Sequence, residues 1–242
     1  MTLALFLVDE LPAVDVVVLT GDEARHAQVK RLRVGEVVEV GDGRGSVVTA
    51  QVGSVARDAI ELMVTSRRTV AELSPRLVAV QALPKGDRAD LAVELLTELG
   101  VDEIVPWRSA QAVTQWDGER GSKARGRWQR TAREATKQSR RAWLPVVAEP
   151  ASTGEVAERL TRAATALVLH EAAEVGLGSA SISTEGELVL VVGPEGGISP
   201  DELERFAATG ATAVRLGEAV LRTSTAGGAA LAALNLRLDR WR

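Results

Sequence analysis

The chain contains no cysteine, which excludes disulfides and thiolate metal sites and makes a cytoplasmic protein the natural expectation. Only two histidines occur, His26 and His170, too few to suggest a metal cluster, so no metal is expected. Long hydrophobic runs are missing as well. The apolar opening at residues 3–8 is short, lacks a basic flank and runs straight into Asp9 and Glu10, so it does not read as a signal peptide. No apolar stretch approaches the roughly 20 residues of a membrane span, and no membrane partner is expected. What is present is 45 % hydrophobic over 242 residues, enough for one large domain or two ordinary ones with a sizeable core.

The formal net charge of −4 would, by itself, argue against a nucleic acid partner. It conceals an asymmetry. From Glu119 to Arg141 there are nine basic residues against two acidic ones, a local charge of +7, which leaves −11 on the rest of the chain. A polyanion can bind selectively at such a segment. Within it, Arg127, Arg130, Glu134, Lys137 and Arg141 follow a 3, 4, 3, 4 spacing and share one face of a helix, while Trp128 and Ala135 point elsewhere, inward. Either this face is simply solvated or it binds phosphate, and the contrast with the acidic remainder favours phosphate, with Arg140 beside it. His26, Lys30, Arg31 and Arg33 form a second basic cluster, readable as an ordinary polar turn or as a further RNA contact.

The first 70 or so residues read as short strands at 3–8, 16–19, 37–40, 47–52 and 60–64. Asp42-Gly43 and Arg44-Gly45 between two β-branched runs predict a tight hairpin, so this region is expected to be a compact antiparallel barrel. Ser74-Pro75 marks a linker, which puts one domain at 1–73 and a second at 74–242. Beyond it strands at 77–82, 104–106, 166–169, 188–192 and 213–216 alternate with helices at 87–99, 119–141, 154–164, 200–208 and 224–240. That rhythm predicts a mainly parallel sheet covered by helices, with ligands beyond the carboxyl ends of the strands.

Three loops at those ends carry candidate chemistry. Val191-Val192-Gly193-Pro194-Glu195-Gly196-Gly197-Ile198-Ser199-Pro200-Asp201-Glu202 is a strand, a glycine loop and a helix start, with Ser199 and Glu202 as a capping box and Pro200 at the first helical position. It lacks the Lys-Ser/Thr ending of a P-loop and the spacing of a dinucleotide fingerprint, and Glu195 would repel phosphate. An adenosine ligand with a cationic sulfur suits it better; a plain turn is the alternative. The second stretch, residues 216–228, offers Ser224 or Thr225 as a cap and places Gly227 and Gly228 early in the last helix. Paired glycines there cost about 1 kcal/mol each relative to alanine, which calls for close packing or a nearby ligand. Arg222, alone at the mouth of this loop, is harder to explain as packing. The third stretch is Leu169-His170-Glu171, where His170 by itself reads as a surface or hydrogen-bonded residue.

Together these residues resemble a known family. GPEGG followed by I-S-x-x-E, then L-G-x-x-V-L-R-T-x-T-A, resembles the RsmE family of 16S ribosomal RNA uridine-N3 methyltransferases within the SPOUT superfamily. The resemblance covers nearly the whole chain. Lys85-Gly86-Asp87 with residues 97–101, the R-W, E-A and Q-S-x-R block from Arg127-Trp128 to Pro145, and His26 with Leu32-Arg33, Gly35 and residues 42–45 are similar to its other motifs. It implies an α/β fold: a small PUA-like antiparallel β-barrel, then a SPOUT-type trefoil-knotted parallel sheet with helices on both faces. It implies S-adenosylmethionine as cofactor near Leu169, His170, Gly193, Glu195, Gly196, Leu216, Gly217, Val220 and Leu221, a homodimer, and 16S ribosomal RNA or the small ribosomal subunit as partner. This chain has Ala219 and Ser224 where many members have arginine and glutamate, so neither is assigned a catalytic role.

Methylating uracil at N3 requires losing a proton that ionises roughly two units above neutrality, a cost of about 3 kcal/mol. A fixed cation offsets that cost, and Arg222 is the candidate; Glu134 is read either as a base or as an ion-pair partner of Arg130 or Lys137. The alternatives to this function are a non-catalytic RNA-binding protein and a related methyltransferase acting on transfer RNA.

Overall fold

The computed structural model describes residues 3–86 and 88–241. They form two compact units, residues up to Glu72 together with Thr136–Leu144, and Leu73–Ala135 together with the residues from Pro145 onward. The first division lies within a residue of the linker read from Ser74-Pro75, but Thr136–Leu144, expected in the second domain, packs with the first. Local periodicity carries no sign of a segment that returns to an earlier unit.

The first unit contains strands β1 (Leu5–Leu7), β2 (Val16–Thr20), β3 (Val37–Gly41), β4 (Ser46–Val55) and β5 (Ala59–Thr69) and helix α1 (Gly21–Val29). They form one sheet in the order β1-β3-β4-β5-β2. In β2, Val17 and Leu19 are buried while Val16 and Val18 face out, the period of two that a half-buried strand needs. The β3–β4 hairpin forms where expected. Its turn is held by the Asp42 carboxylate, which accepts from the backbone N–H groups of Arg44 at 2.7 Å and Ser46 at 3.0 Å. Gly45 has φ +94°, and a Cβ there would sit 2.6 Å from the ring of Trp143. Two features differ from the expectation. β1 pairs with β3 in parallel, so the sheet is mixed; residues 8–36 between them supply the long crossover a parallel pair needs. Helix α1 also went unforeseen, because its polar sequence has no wide apolar stripe and Thr20 makes no side-chain cap.

The second unit follows the alternation: β6 (Arg76–Ala82), α2 (Arg88–Glu98), β7 (Glu103–Trp107), α3 (Gly118–Ser139), β8 (Val146–Val147), α4 (Thr153–Arg162), β9 (Thr165–Leu169), β10 (Glu187–Val192), α5 (Pro200–Ala207), β11 (Thr212–Val214) and α6 (Thr223–Arg237). The last turn of α3 belongs to the first unit. Asp87, where α2 was expected to begin, lies outside the described residues. The sheet order is β11-β9-β10-β6-β7-β8, and every pairing is parallel. One face packs Val78, Val80, Val189 and Val191 against Val156 and Leu160 of α4 and Phe206 of α5. On the other face α6 packs on β10 and β6 and against α2. There Gly227 and Gly228 have a packing explanation: a Cβ on Gly227 would lie 3.0 Å from Leu96 and 3.3 Å from Val192, and one on Gly228 would lie 3.1 Å from Leu99. The cap expected from Ser224 or Thr225 is not what starts α6. Arg222 is its N-cap residue and makes no side-chain cap, while Thr225 donates back to the Arg222 carbonyl at 3.1 Å.

The amino ends of the strands are tied by charge. Arg159 of α4 makes a bidentate pair with Glu103 of β7 at 2.6 and 2.8 Å and reaches Glu187 of β10 at 2.8 Å, and Arg76 of β6 sits 2.9 Å from Glu103. Burial opposes ionisation of Glu103, but the hydrogen bonds and positive charge of Arg159, with Arg76 behind it, outweigh burial and hold its carboxyl below the usual range.

Candidate active site

The carboxyl ends of β9, β10 and β11 open into a cavity of about 440 Å³, within the range of small-molecule sites. Each loop brings part of its lining. β9 delivers Leu169, His170 and Glu171. His170 is held by two hydrogen bonds: its backbone N–H donates to the Val214 carbonyl at 3.0 Å, and its Nδ1 accepts from the Ala172 N–H at 3.3 Å. After β10 come Gly193, Pro194, Glu195, Gly196 and Gly197. A Cβ on Gly193 would stand 2.7 Å from Ile198, so only glycine lets the loop fold this closely. Gly196 is tight against Gln111, whose carbonyl would lie 3.2 Å from a Cβ there. The loop ends at the expected capping box, in which Ser199 and Glu202 each bond the other's backbone N–H. Glu202 also does more than cap: its Oε1 accepts from the Ala110 N–H at 2.8 Å and from the Thr153 hydroxyl at 2.9 Å, fastening the Gln111 loop to α5.

The third segment, Leu216 through Thr223, completes the lining. Thr223 donates to the Gly193 carbonyl at 3.0 Å and so joins the start of α6 to the β10 loop. Glu195 accepts from the Lys85 N–H at 3.2 Å, which ties the same loop to the segment after β6. All the residues expected near a cofactor line this one cavity, and so does Arg222. Arg88, Glu171 and Arg215 also line it and were not singled out from the sequence. The signal for Arg88 was the basic residue directly following Lys85-Gly86-Asp87 after a predicted strand.

Other candidates fall elsewhere. Glu134 is exposed on α3 and is not among the residues that line the cavity. Lys137, expected on an outward phosphate-binding face, is 7 % exposed and bonds Glu23 at 3.0 Å and His26 Nδ1 at 3.1 Å. Its charge is turned inward because Glu23 of α1 is itself buried. His26, half-buried against the edge of Phe6, belongs to the same cluster. Arg31 and Arg33 are exposed, Arg31 in the left-handed region at φ +56°. On α3, Arg127 pairs with Asp90, and Arg125 donates to the carbonyls of Val147 and Ala148 and pairs with Glu149 at 2.7 Å. Arg130 and Arg140 stay exposed and Arg141 half-buried, while Trp128 and Ala135 are buried as their spacing predicts. Much of the +7 segment is thus spent on the fold.

A small-molecule cavity at the carboxyl ends of a parallel sheet suits a cofactor-dependent enzyme, and the family matches make its class an RNA methyltransferase. Residues 71–235 match the RNA methyltransferase domain family and residues 19–64 the RNA methyltransferase PUA domain family. The chain belongs to the ribosomal RNA small subunit methyltransferase E family. The member from Mycobacterium bovis is 43 % identical over 247 residues, covering 100 % of this chain and 94 % of that one, and the member from Bacillus subtilis is 29 % identical, covering 91 % and 90 %. Among solved structures, the Neisseria gonorrhoeae enzyme of that name bound to S-adenosyl methionine superposes with a TM-score of 0.87 at 30 % identity, covering 98 % of each chain. A Legionella pneumophila methyltransferase in complex with the same cofactor gives a TM-score of 0.89 at 25 % identity, again covering 98 % of each chain.

Proposed function

We propose that this protein methylates N3 of a specific uridine in the 16S ribosomal RNA of the small subunit, using S-adenosylmethionine. The observation that carries the reading is the convergence of Leu169, Gly193, Glu195, Leu216 and Arg222 on one cavity, together with the family membership. The residues fit the cofactor. The glycine-rich backbone of residues 193–197 can approach and bond an adenosine, Leu216, Val220 and Leu221 supply apolar wall, and the Glu171 and Glu195 carboxylates can face the cationic sulfonium. When bound, the cofactor supplies a methyl group on a sulfonium, ready for in-line displacement.

Arg222 then has a defined task. Its guanidinium lines the cavity and, among the described residues, has no hydrogen-bond or ion-pair partner, so it is available to the substrate. Its fixed charge stabilises the uracil as N3 loses its proton and offsets a cost of about 3 kcal/mol. Arg31 and Arg33 on the first unit and Arg127, Arg130, Arg140 and Arg141 are the candidates for holding RNA phosphates. We further propose a deep trefoil knot in the C-terminal chain, a cytoplasmic location, and a symmetric homodimer. Val220, Leu221 and Leu236 favour the dimer, since they are large apolar side chains exposed beside the cavity or on α6. Isothermal titration calorimetry with S-adenosylmethionine is expected to show one cofactor per chain. No binding at millimolar cofactor would overturn the reading.

A further inference from the structure

Besides Arg222, assigned to the base, two further arginines line the cavity, Arg88 and Arg215. Arg88 opens α2, directly after the segment whose Lys85 N–H is held by Glu195, and its side chain is exposed. Among the described residues it has no hydrogen-bond or ion-pair partner. Its neighbour on the same helix, Asp90, pairs with Arg127, so an arginine on this surface does find a carboxylate when one is placed for it. The cavity's own carboxylates do not serve: Glu195 accepts from backbone at Lys85, and neither it nor Glu171 pairs with Arg88.

Three arginines without a side-chain partner among the described residues, set against the two glutamates Glu171 and Glu195, leave the cavity lining net positive and call for an anion in the working complex. The cofactor does not supply one in net terms, since its carboxylate and ammonium cancel and the sulfonium leaves it positive. RNA does, with one phosphodiester charge per nucleotide, and the planar guanidinium matches two phosphate oxygens at once. Resting on the function proposed above, we infer that Arg88 is a positioning residue that grips a backbone phosphate of the RNA at the target uridine, while Arg222 serves the base.

The test is steady-state methylation of purified small ribosomal subunits by the full-length protein, with KM and kcat measured from 50 to 200 mM salt alongside calorimetric affinity for S-adenosylmethionine without RNA. Arg88→Ala is expected to raise KM about fivefold to tenfold, leave kcat within about twofold, and lower the slope of log(kcat/KM) against log salt by about one. Arg88→Lys keeps the point charge and should restore the slope with only part of the affinity. Cofactor affinity and melting temperature should match the wild type in both variants. A fall in cofactor affinity of more than fivefold would reassign Arg88 to the cofactor's carboxylate and overturn the inference. So would an unchanged salt slope, or a loss confined to kcat. If the wild type itself binds no cofactor, the underlying function fails, and that result is read without any variant.

Discussion

The two ends of the parallel sheet in the second unit treat arginine in opposite ways. At the amino ends of β6, β7 and β10, Arg159 and Arg76 are saturated by Glu103 and Glu187. At the carboxyl ends, Arg222 and Arg88 line a cavity and have no partner among the described residues. A paired, half-buried cation holds elements together, whereas an unpaired one at a cavity keeps its interaction free energy for a ligand. The same residue type is therefore structural at one end and available for chemistry at the other.

The sharpest way to break the contrast is to remove one arginine from each end. Arg222→Ala is expected to slow single-turnover methylation about a hundredfold or more, equivalent to about 3 kcal/mol, while melting temperature and cofactor affinity stay near the wild type. Arg159→Ala is expected to do the reverse. It leaves two carboxylates without their main partner and should cost about 2–3 kcal/mol of stability, read in urea unfolding, with methylation per folded molecule unchanged. A smaller effect tests the carboxylate side. The Glu103 carboxyl is held below its ordinary value of 4.5, so its contribution is present above that pH and is lost as pH falls through the lower folded-state value. Glu103→Gln should thus be less stable than wild type at pH 7, and the gap should shrink as pH drops below about 4.5. A gap that stays constant in unfolding curves between pH 7 and pH 3 would mean the pairing adds nothing. The smallest expected effect is at the loop boundary: Ser199→Ala removes the cap of α5 and should cost about 1 kcal/mol in the same unfolding assay.

The site was more legible than its surroundings. Strand periodicity located β9, β10 and β11, a parallel sheet puts ligands at their carboxyl ends, and the Ser199/Glu202 box fixed where the glycine loop stops. These are local signals, each readable within about a dozen residues. The features that escaped are non-local. Lys137 shares a helix face with Arg127 and Arg130 by spacing, yet it turns inward because Glu23, 114 positions away in sequence, is buried in the same unit. The glycines of α6 answer to Leu96 of α2 and to Leu99 just after it, contacts that no propensity encodes. Arg88 was passed over because it lies at a helix start far upstream of the recognised loops.

The most direct measurement is mass-spectrometric mapping of modified nucleotides in 16S ribosomal RNA from cells lacking this protein, complemented with wild type or with Arg222→Ala. One 3-methyluridine should disappear without the protein, return with the wild type, and stay at a few per cent or less with the variant once expression is matched. Full 3-methyluridine in the cells lacking the protein would contradict the assigned reaction, and full restoration by Arg222→Ala would contradict the role given to that arginine.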